Sequence, residues 1–402
     1  MSLIEWRRIP DELFFQEGPG VRKNQYTNEG IKLLNVSNLV EGKVDLSTSD
    51  RFISHEEAYG KYKHFLCDEG DLIIASSGIK VEYFDKKMGF ITREMLPLCM
   101  NTSTIRFKVK NEKSLDIRYF MYYLKSSDFK QQLNRQITGS AQLNFGPSHL
   151  DKMLFPICNL KEQKRIVKTL DAVNDLLEAY QKELDRYDEL VKSRFVEMFG
   201  DPVINPYNLP VVTLGEISNL ITKGASPSWQ GFSYTQDSTQ TLFITSENVR
   251  EGYIDLSSKK YIEDAFNERQ KRSVIHKGDF LINIVGASIG RAAQFNLDCK
   301  ANMNQAAALV RVNDERIRDK YLTMYLNSDK AQRMYNSMKS DTGRANLSLQ
   351  DISNLSILLP SIEDQLDFED FVKQIDKSKV AIQAALDKTQ LLFDSLMQEY
   401  FG

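Results

Sequence analysis

Two stretches, "KSRFVEMFG" at residues 192–200 and "DSLMQEYFG" at residues 394–402, close on the same Phe-Gly pair. Phe401 follows Phe199 by 401 − 199 = 202 positions. Working back along the chain, "TGSAQLNFGPSHLDKMLFP" (138–156) resembles "DTGRANLSLQDISNLSILLP" (341–360), with Leu347 lying 204 after Leu143. "CDEGDLIIASSG" (67–78) resembles "HKGDFLINIVG" (276–286), with Gly278 lying 208 after Gly70. "LLNVSNLVEGKVDLS" (33–47) resembles "LFITSENVREGYIDLS" (242–257), with Asp255 lying 210 after Asp45. The matches keep their order while the offset drifts, as loop insertions produce. A unit of about 200 residues is therefore duplicated, well beyond the roughly 20–50 residues of a solenoid repeat.

Each unit has a globular part and a rod. The globular parts, 1–156 and 211–359, alternate apolar and polar residues between turn signals. "GDLIIAS" and "GDFLINIV" read as strands entered from a Gly-Asp turn. "DIRYFMYYLKSSDFKQQL" and "DKYLTMYLNSDKAQRMY" each read as a helix. Pro156 and Pro360 then halt one element before a long helix begins, at 157–200 and at 360–402. Ile166, Leu170, Val173, Leu177, Tyr180, Leu184, Tyr187 and Val191 recur at alternating spacings of four and three, a coiled-coil seam. The matching seam runs through Phe368, Val372, Ile375, Lys379, Ile382, Leu386, Thr389 and Phe393. Lys379 and Thr389 interrupt it, either setting register or marking a less buried stretch. A three-proline linker, 201–210, separates the units. The expected fold is α+β: two globular domains, each followed by a long helix, with the two helices paired antiparallel. That pairing would place the domains at opposite ends of the rod.

The net charge of −3 and pI near 6.0 argue against a broad basic surface for nucleic acid. Contact with DNA then needs focused basic loops or partners that add positive charge. Cys67, Cys99, Cys158 and Cys299 form no Cys-x-x-Cys, which suits a reducing cytoplasm. His55, His64, His149 and His276 lack metal-ligand spacing. No apolar run approaches the roughly 20 residues of a membrane helix, and the start lacks a signal peptide's apolar core. Neither a P-loop, a Gly-x-Gly-x-x-Gly fingerprint nor His-Glu-x-x-His is present. "NPY" at Asn205–Tyr207 faintly resembles a methyltransferase box, but it sits in the linker and reads as a turn.

Binding candidates cluster at glycine-containing turns. "EGPGVRKNQY" (17–26) brings Arg22, Lys23, Asn24, Gln25 and Tyr26 directly after two glycines. Arg and Lys suit phosphate or guanine, and Asn and Gln suit adenine's paired donor and acceptor. The equivalent "TKGASPSWQG" (222–231) carries Lys223, Ser226, Ser228, Trp229 and Gln230. Either loop alone reads more readily as a plain solvated loop; two at matched positions shift the balance toward a shared binding role. A second pair of turns offers Lys80, and Ser288 with Arg291; Lys80 and Arg291 face outward if Val81 and Ala292 face in. A third pair offers Gln142 and Asn144, and Arg344 and Asn346, although both asparagines also read as caps of the next helix. "ERQKR" (268–272) is a basic cluster on an expected helix, with a phosphate role or none. Because the loops differ while the framework repeats, each domain should read something different.

"EGPGVRKNQYTNEGIKLLNVSNL", "LFPICNLKEQKRIV", "ITKGASPS", "LINIVGASIGRAA", "MNQAAALVRV" and "GRANLSLQDISNLSILLPSIEDQ" together resemble the motifs of type I restriction–modification specificity (S) subunits, over nearly the whole chain. The resemblance implies two target-recognition domains, each reading half of a bipartite, asymmetric double-stranded DNA site, with the central helices setting the spacer. It implies two methylation (M) subunits docked on the chain, which two restriction (R) subunits can join. The chain itself would then be non-catalytic and hold no cofactor, with S-adenosylmethionine and ATP on partner subunits. The sequence departs from the usual pattern where a Pro-rich run before each helix is reduced to Pro156 and Pro360, and where "ASPS" stands for a Gly-Thr-Pro-Ser pattern absent from the first unit. Two other readings stand beside this one. A fused nuclease or methyltransferase fragment would transfer a methyl group unaided, and a coiled-coil interaction scaffold would leave no sequence-dependent footprint.

Overall fold

The computed structural model describes residues 4–136, 143–201, 204–337 and 346–402. In the first unit, β1 (Leu13–Glu17), β2 (Leu72–Ala75), β3 (Met88–Phe90) and β4 (Thr104–Val109) form an antiparallel sheet in the order β1-β4-β2-β3. In the second, β5 (Ser218–Lys223), β6 (Phe280–Asn283), β7 (Ala292–Gln294) and β8 (Ala307–Val312) repeat it as β5-β8-β6-β7. A smaller sheet accompanies each. Its one parallel pairing joins Ile31–Leu34 to Leu98–Met100, and Thr241–Ile244 to Ala301–Met303.

The Gly-Asp turns enter β2 and β6 as expected, and the aspartates explain why. Buried Asp71 accepts the Asp68 N–H at 2.9 Å and lies 3.5 Å from Arg106 and 3.4 Å from Lys108. Asp279 accepts the His276 N–H at 2.7 Å and both Nε and Nη2 of Arg311, each at 2.7 Å. Each carboxylate thus closes its turn and ties it to the neighbouring strand. Such paired, hydrogen-bonded burial is what makes an interior charge tolerable.

Four helices complete the framework: α1 (Ile117–Lys125), α2 (Leu160–Phe199), α3 (Asp319–Leu326) and α4 (Ile362–Phe401). The single helix expected from "DIRYFMYYLKSSDFKQQL" is two. The backbone turns extended at Ser126 (ψ 159°), whose hydroxyl accepts the Phe129 N–H at 3.2 Å and caps Ser127–Gln136. In the second unit the break falls at Asn327–Ser328, before Asp329–Ser337. Serine at a cap competes with helix continuation, which periodicity does not register.

Matched side chains fasten each long helix to its globular part. The Gln163 carboxamide, fully buried, accepts the Asp116 N–H (2.8 Å) and donates to the Ser114 and Cys158 carbonyls (2.8 and 2.7 Å). Gln365, 202 positions on, accepts the Arg318 N–H (2.7 Å) and donates to the Arg316 and Pro360 carbonyls (2.9 and 3.0 Å). The Tyr119 hydroxyl donates to the Pro156 carbonyl and that of Tyr321 to the Leu358 carbonyl, at 3.0 and 2.7 Å.

The long helices run about 60 Å each at 1.5 Å per residue. Contacts divide the chain into Met1–Gln181 with Ala384–Gly402, and Lys182–Gln383. These units cut across the expected bounds, because each takes in part of both long helices. In the first, Ile166, Val167 and Leu170 share one core with Met397 and Phe401. In the second, Phe195 and Phe199 share a core with Phe368 and Val372. The start of one helix meets the end of the other in both units, so α2 and α4 pair antiparallel. Along the seam, Val173, Leu184 and Ile375 are buried, while Leu177, Tyr180, Tyr187, Val191, Ile382, Leu386 and Phe393 are half-buried. Lys379 reaches Asp188 on α2 at 2.6 Å, a cross-helix ion pair that fits a register role. Thr389 instead bonds back to its own helix, at the Ala385 carbonyl (2.8 Å). Among the described residues no helix is long and apolar enough to cross a membrane.

Candidate nucleic-acid interface

The first loop leaves the sheet at a glycine in both units, and the reason is steric. A Cβ on Gly18 would stand 2.1 Å from the Asn101 carbonyl oxygen, and one on Gly224 would stand 1.9 Å from that of Met303. A one-turn 3₁₀ helix follows, Lys23–Gln25 and Ser228–Gln230. In the first unit the Gln25 carboxamide accepts the Arg22 N–H (3.1 Å) and donates to Glu57 (2.7 Å) and the Tyr62 hydroxyl (3.0 Å). Tyr26 is half-buried in a small core, with the Arg51 guanidinium 5.4 Å from its ring centre. Gln25 and Tyr26, both half-buried, thus brace the base of the loop. Arg22, Lys23 and Asn24 are exposed and crown the same turn.

In the second unit Lys223 is exposed, and the Ser226 and Ser228 hydroxyls bond each other at 3.1 Å. The Gln230 carbonyl accepts from Arg269 at 3.2 Å. Trp229 stands out from the turn, 87% exposed. "ERQKR" is not one helix: Ala265–Arg269 ends at Gln270 and a 3₁₀ turn, Lys271–Ser273, follows.

The other two candidate regions converge. Leu143–Asn144 pairs with Ser77–Ile79, and Asn346 bridges Val285 in the second unit. Lys80 is exposed, 3.9 Å from Glu82; Arg291 is half-buried, 3.9 Å from Glu251. Asn144 and Asn346 are exposed and cap nothing. Gly146 precedes Pro147–Leu150, and Ser348, which accepts the Asp351 N–H at 3.1 Å, caps Leu349–Ser353. Gln142 and Arg344 lie outside the described residues.

Ser288 sits within Gly286–Gly290, so a Gly-x-Ser-x-Gly spacing is present where the sequence reading finds none. A hydrolase elbow needs a strand-to-helix turn and a base beside the serine. Here the segment joins the antiparallel strands β6 and β7, and the Ser288 hydroxyl accepts from the Asn283 amide at 3.1 Å. A Cβ on Gly290 would stand 2.4 Å from the Tyr335 ring, so that glycine serves packing. Sequence reasoning also misses Glu17. Its Oε2 lies 3.4 Å from where a Cβ on Gly146 would stand, and burial raises its carboxyl above its ordinary value. Its place directly before Gly18 is the signal that was there to read.

The arrangement is two copies of one scaffold, each presenting a different loop set around exposed polar and cationic groups. The type I restriction modification DNA specificity domain matches residues 12–186 and again residues 206–390. The chain is 21% identical over 413 residues to the type I restriction enzyme EcoBI specificity subunit of Escherichia coli, covering 96% of this chain and 82% of that protein. It is 21% identical to the StySPI specificity subunit of Salmonella potsdam, over 94% of this chain and 83% of that one. The S subunit from M. genitalium shares the fold at 17% identity, with a TM-score of 0.52 over 100% of this chain and 96% of that chain. A chain from a structure of the type I R-M system does so with a TM-score of 0.58, at 17% identity over 98% and 97%. With two tandem specificity domains spanning most of its length, the chain belongs to the type I restriction–modification DNA specificity family.

Proposed function

We propose that each specificity domain reads one half of a bipartite, asymmetric duplex DNA site, and that α2 and α4 set the spacer and seat two methylation subunits. The observation that carries this reading is a scaffold repeated to single side chains, Gln163 and Gln365, Tyr119 and Tyr321, whose loops nonetheless differ in chemistry. A symmetric target would call for alike loops; unlike loops suit unlike half-sites. Arg22, Lys23 and Asn24 form the polar reading edge of the first domain, and Lys223 and Trp229 stand at the matching place in the second. Methyl transfer and cleavage belong to partner chains, which bring S-adenosylmethionine and ATP and can include two restriction subunits. Exposed apolar side chains on the long helices, Leu190 and Val196 on α2 and Val380 and Leu391 on α4, supply a surface for those partners.

Mapping N6-methyladenine across the genome of cells holding the cognate methylation subunit tests this, with and without the chain. A bipartite motif that depends on the chain is the expected result. An assembled complex that yields no such motif would leave a coiled-coil scaffold as the better account. In the same assay Arg22→Ala relaxes one base position of one half-site, since a bidentate contact supplies about 1–3 kcal/mol of discrimination. Unchanged specificity removes Arg22 from the reading edge. Inserting one heptad after Asp185 and another after Ile382 lengthens both helices by roughly 10 Å and widens the spacer by up to about three base pairs. A spacer of constant length would refute the ruler.

A further inference from the structure

Trp229 is, at 87%, the most exposed large apolar side chain among the described residues, yet its turn is anchored on every side. Pro227 is buried beneath it, and Ala225 and Phe232 pack against Phe243 and Phe266, with Phe232 edge-on to Phe266 at 5.4 Å. The Gln230 and Phe232 N–H groups both donate to the Pro227 carbonyl, at 2.9 and 3.0 Å, and Gly231 closes the turn with φ +81°. The indole is therefore presented by a rigid base. Exposed cations stand on the turn and on the elements next to it in the chain or bonded to it: Lys223 at the end of β5, Arg269 bonded to the Gln230 carbonyl, and Arg272 in the 3₁₀ turn after Arg269. The nearby acidic Glu268 is paired with Lys271 at 3.4 Å. At the matching turn of the first unit stand Arg22, Lys23 and Asn24, which read edges and phosphates but have no apolar face to insert.

A preorganised, exposed aromatic ring on a turn bonded to a cation suits a stacked duplex, whose phosphates hold the cations while the ring slides between bases. We propose that Trp229 inserts between adjacent base pairs of the half-site read by the second unit and opens that step. This rests on the DNA-reading function proposed above. Pyrimidine–purine steps, which unstack most readily, are the expected place of entry. The two units thus recognise DNA by different physics: hydrogen bonding at Arg22–Asn24, and stacking with deformation at Trp229.

The test uses the chain assembled with its methylation subunits and duplexes carrying 2-aminopurine at successive positions of each half-site. The native complex should brighten the probe at one step of the second half-site. Trp229→Ala should abolish that signal and weaken binding roughly tenfold or more, while Trp229→Phe retains most of both. Native affinity and an unchanged probe scan in Trp229→Ala would overturn the wedge and leave the DNA-reading function standing. Loss of assembly with the methylation subunits in Trp229→Ala would overturn it too, by making the indole a protein contact. A native complex with no affinity for bipartite DNA would overturn the wedge and the function together.

Discussion

Phe401→Ala lowers the stability of the first unit by about 3–5 kcal/mol, the range for emptying a buried phenylalanine site. Chain ends usually fray and tolerate change, so the expectation runs against position alone. Phe401 is buried, its ring centre 5.1 Å from Tyr119 on α1 and 6.1 Å from Tyr123. Those tyrosines also hold the strand before α2, Tyr119 at Pro156 and Tyr123 at Leu154, so a cavity there loosens the anchor of the long helix. Hydrogen exchange resolved by segment is the measurement. Protection should fall across residues 117–157 and 394–402 while 211–383 keeps its own. Phe199→Ala should do the converse, because Phe199 packs at 4.8 Å from Tyr321 in the second unit. Equal loss in both units, or none, would show that these rings are not separate anchors.

Gln365→Leu costs about 3–5 kcal/mol in the second unit, by another mechanism. The substitution keeps the volume but leaves the Arg318 N–H and the Arg316 and Pro360 carbonyls without their partner. A buried backbone group so abandoned costs about 1–3 kcal/mol; the Pro360 contact is buried, while the Arg318 and Arg316 contacts, part-buried, cost about 1 kcal/mol each. Gln365→Glu separates hydrogen bonding from packing. An ionised carboxylate still accepts from Arg318 but repels both carbonyls, so its folded-state pKa rises above the unfolded value. Stability is then highest at low pH, where the acid is protonated and one donor returns, and is lost as pH climbs through the raised pKa. A chemical-denaturation midpoint independent of pH in Gln365→Glu would show that the donors matter little.

The framework was legible because its signals are local or repeated. Gly70-Asp71 and Gly278-Asp279 announce the strands, Pro156 and Pro360 announce the helices, and the seam spacing announces α2 and α4. The reading edge was less legible because its assignment depends on distant partners. That the Gln25 amide is bonded to Glu57, 32 positions away, is one such partner that no local pattern announces. Asn144 and Asn346 look like caps until Gly146 and Ser348 are found in that place. Domain bounds drawn at prolines follow backbone punctuation. The compact units follow apolar burial, and Phe199 and Phe401 bury their rings at the far ends of their helices.

The core of the first unit holds both Ile9 and Phe401, residues from the two extremes of the sequence. Sequence separation is thus a weak constraint on packing in this architecture: residues 401 − 9 = 392 positions apart share one core. A half-length chain that ends on Phe-Gly would carry a ring and a tyrosine socket that cannot meet within itself. Two such chains, exchanging ends, would rebuild the pair as a twofold dimer.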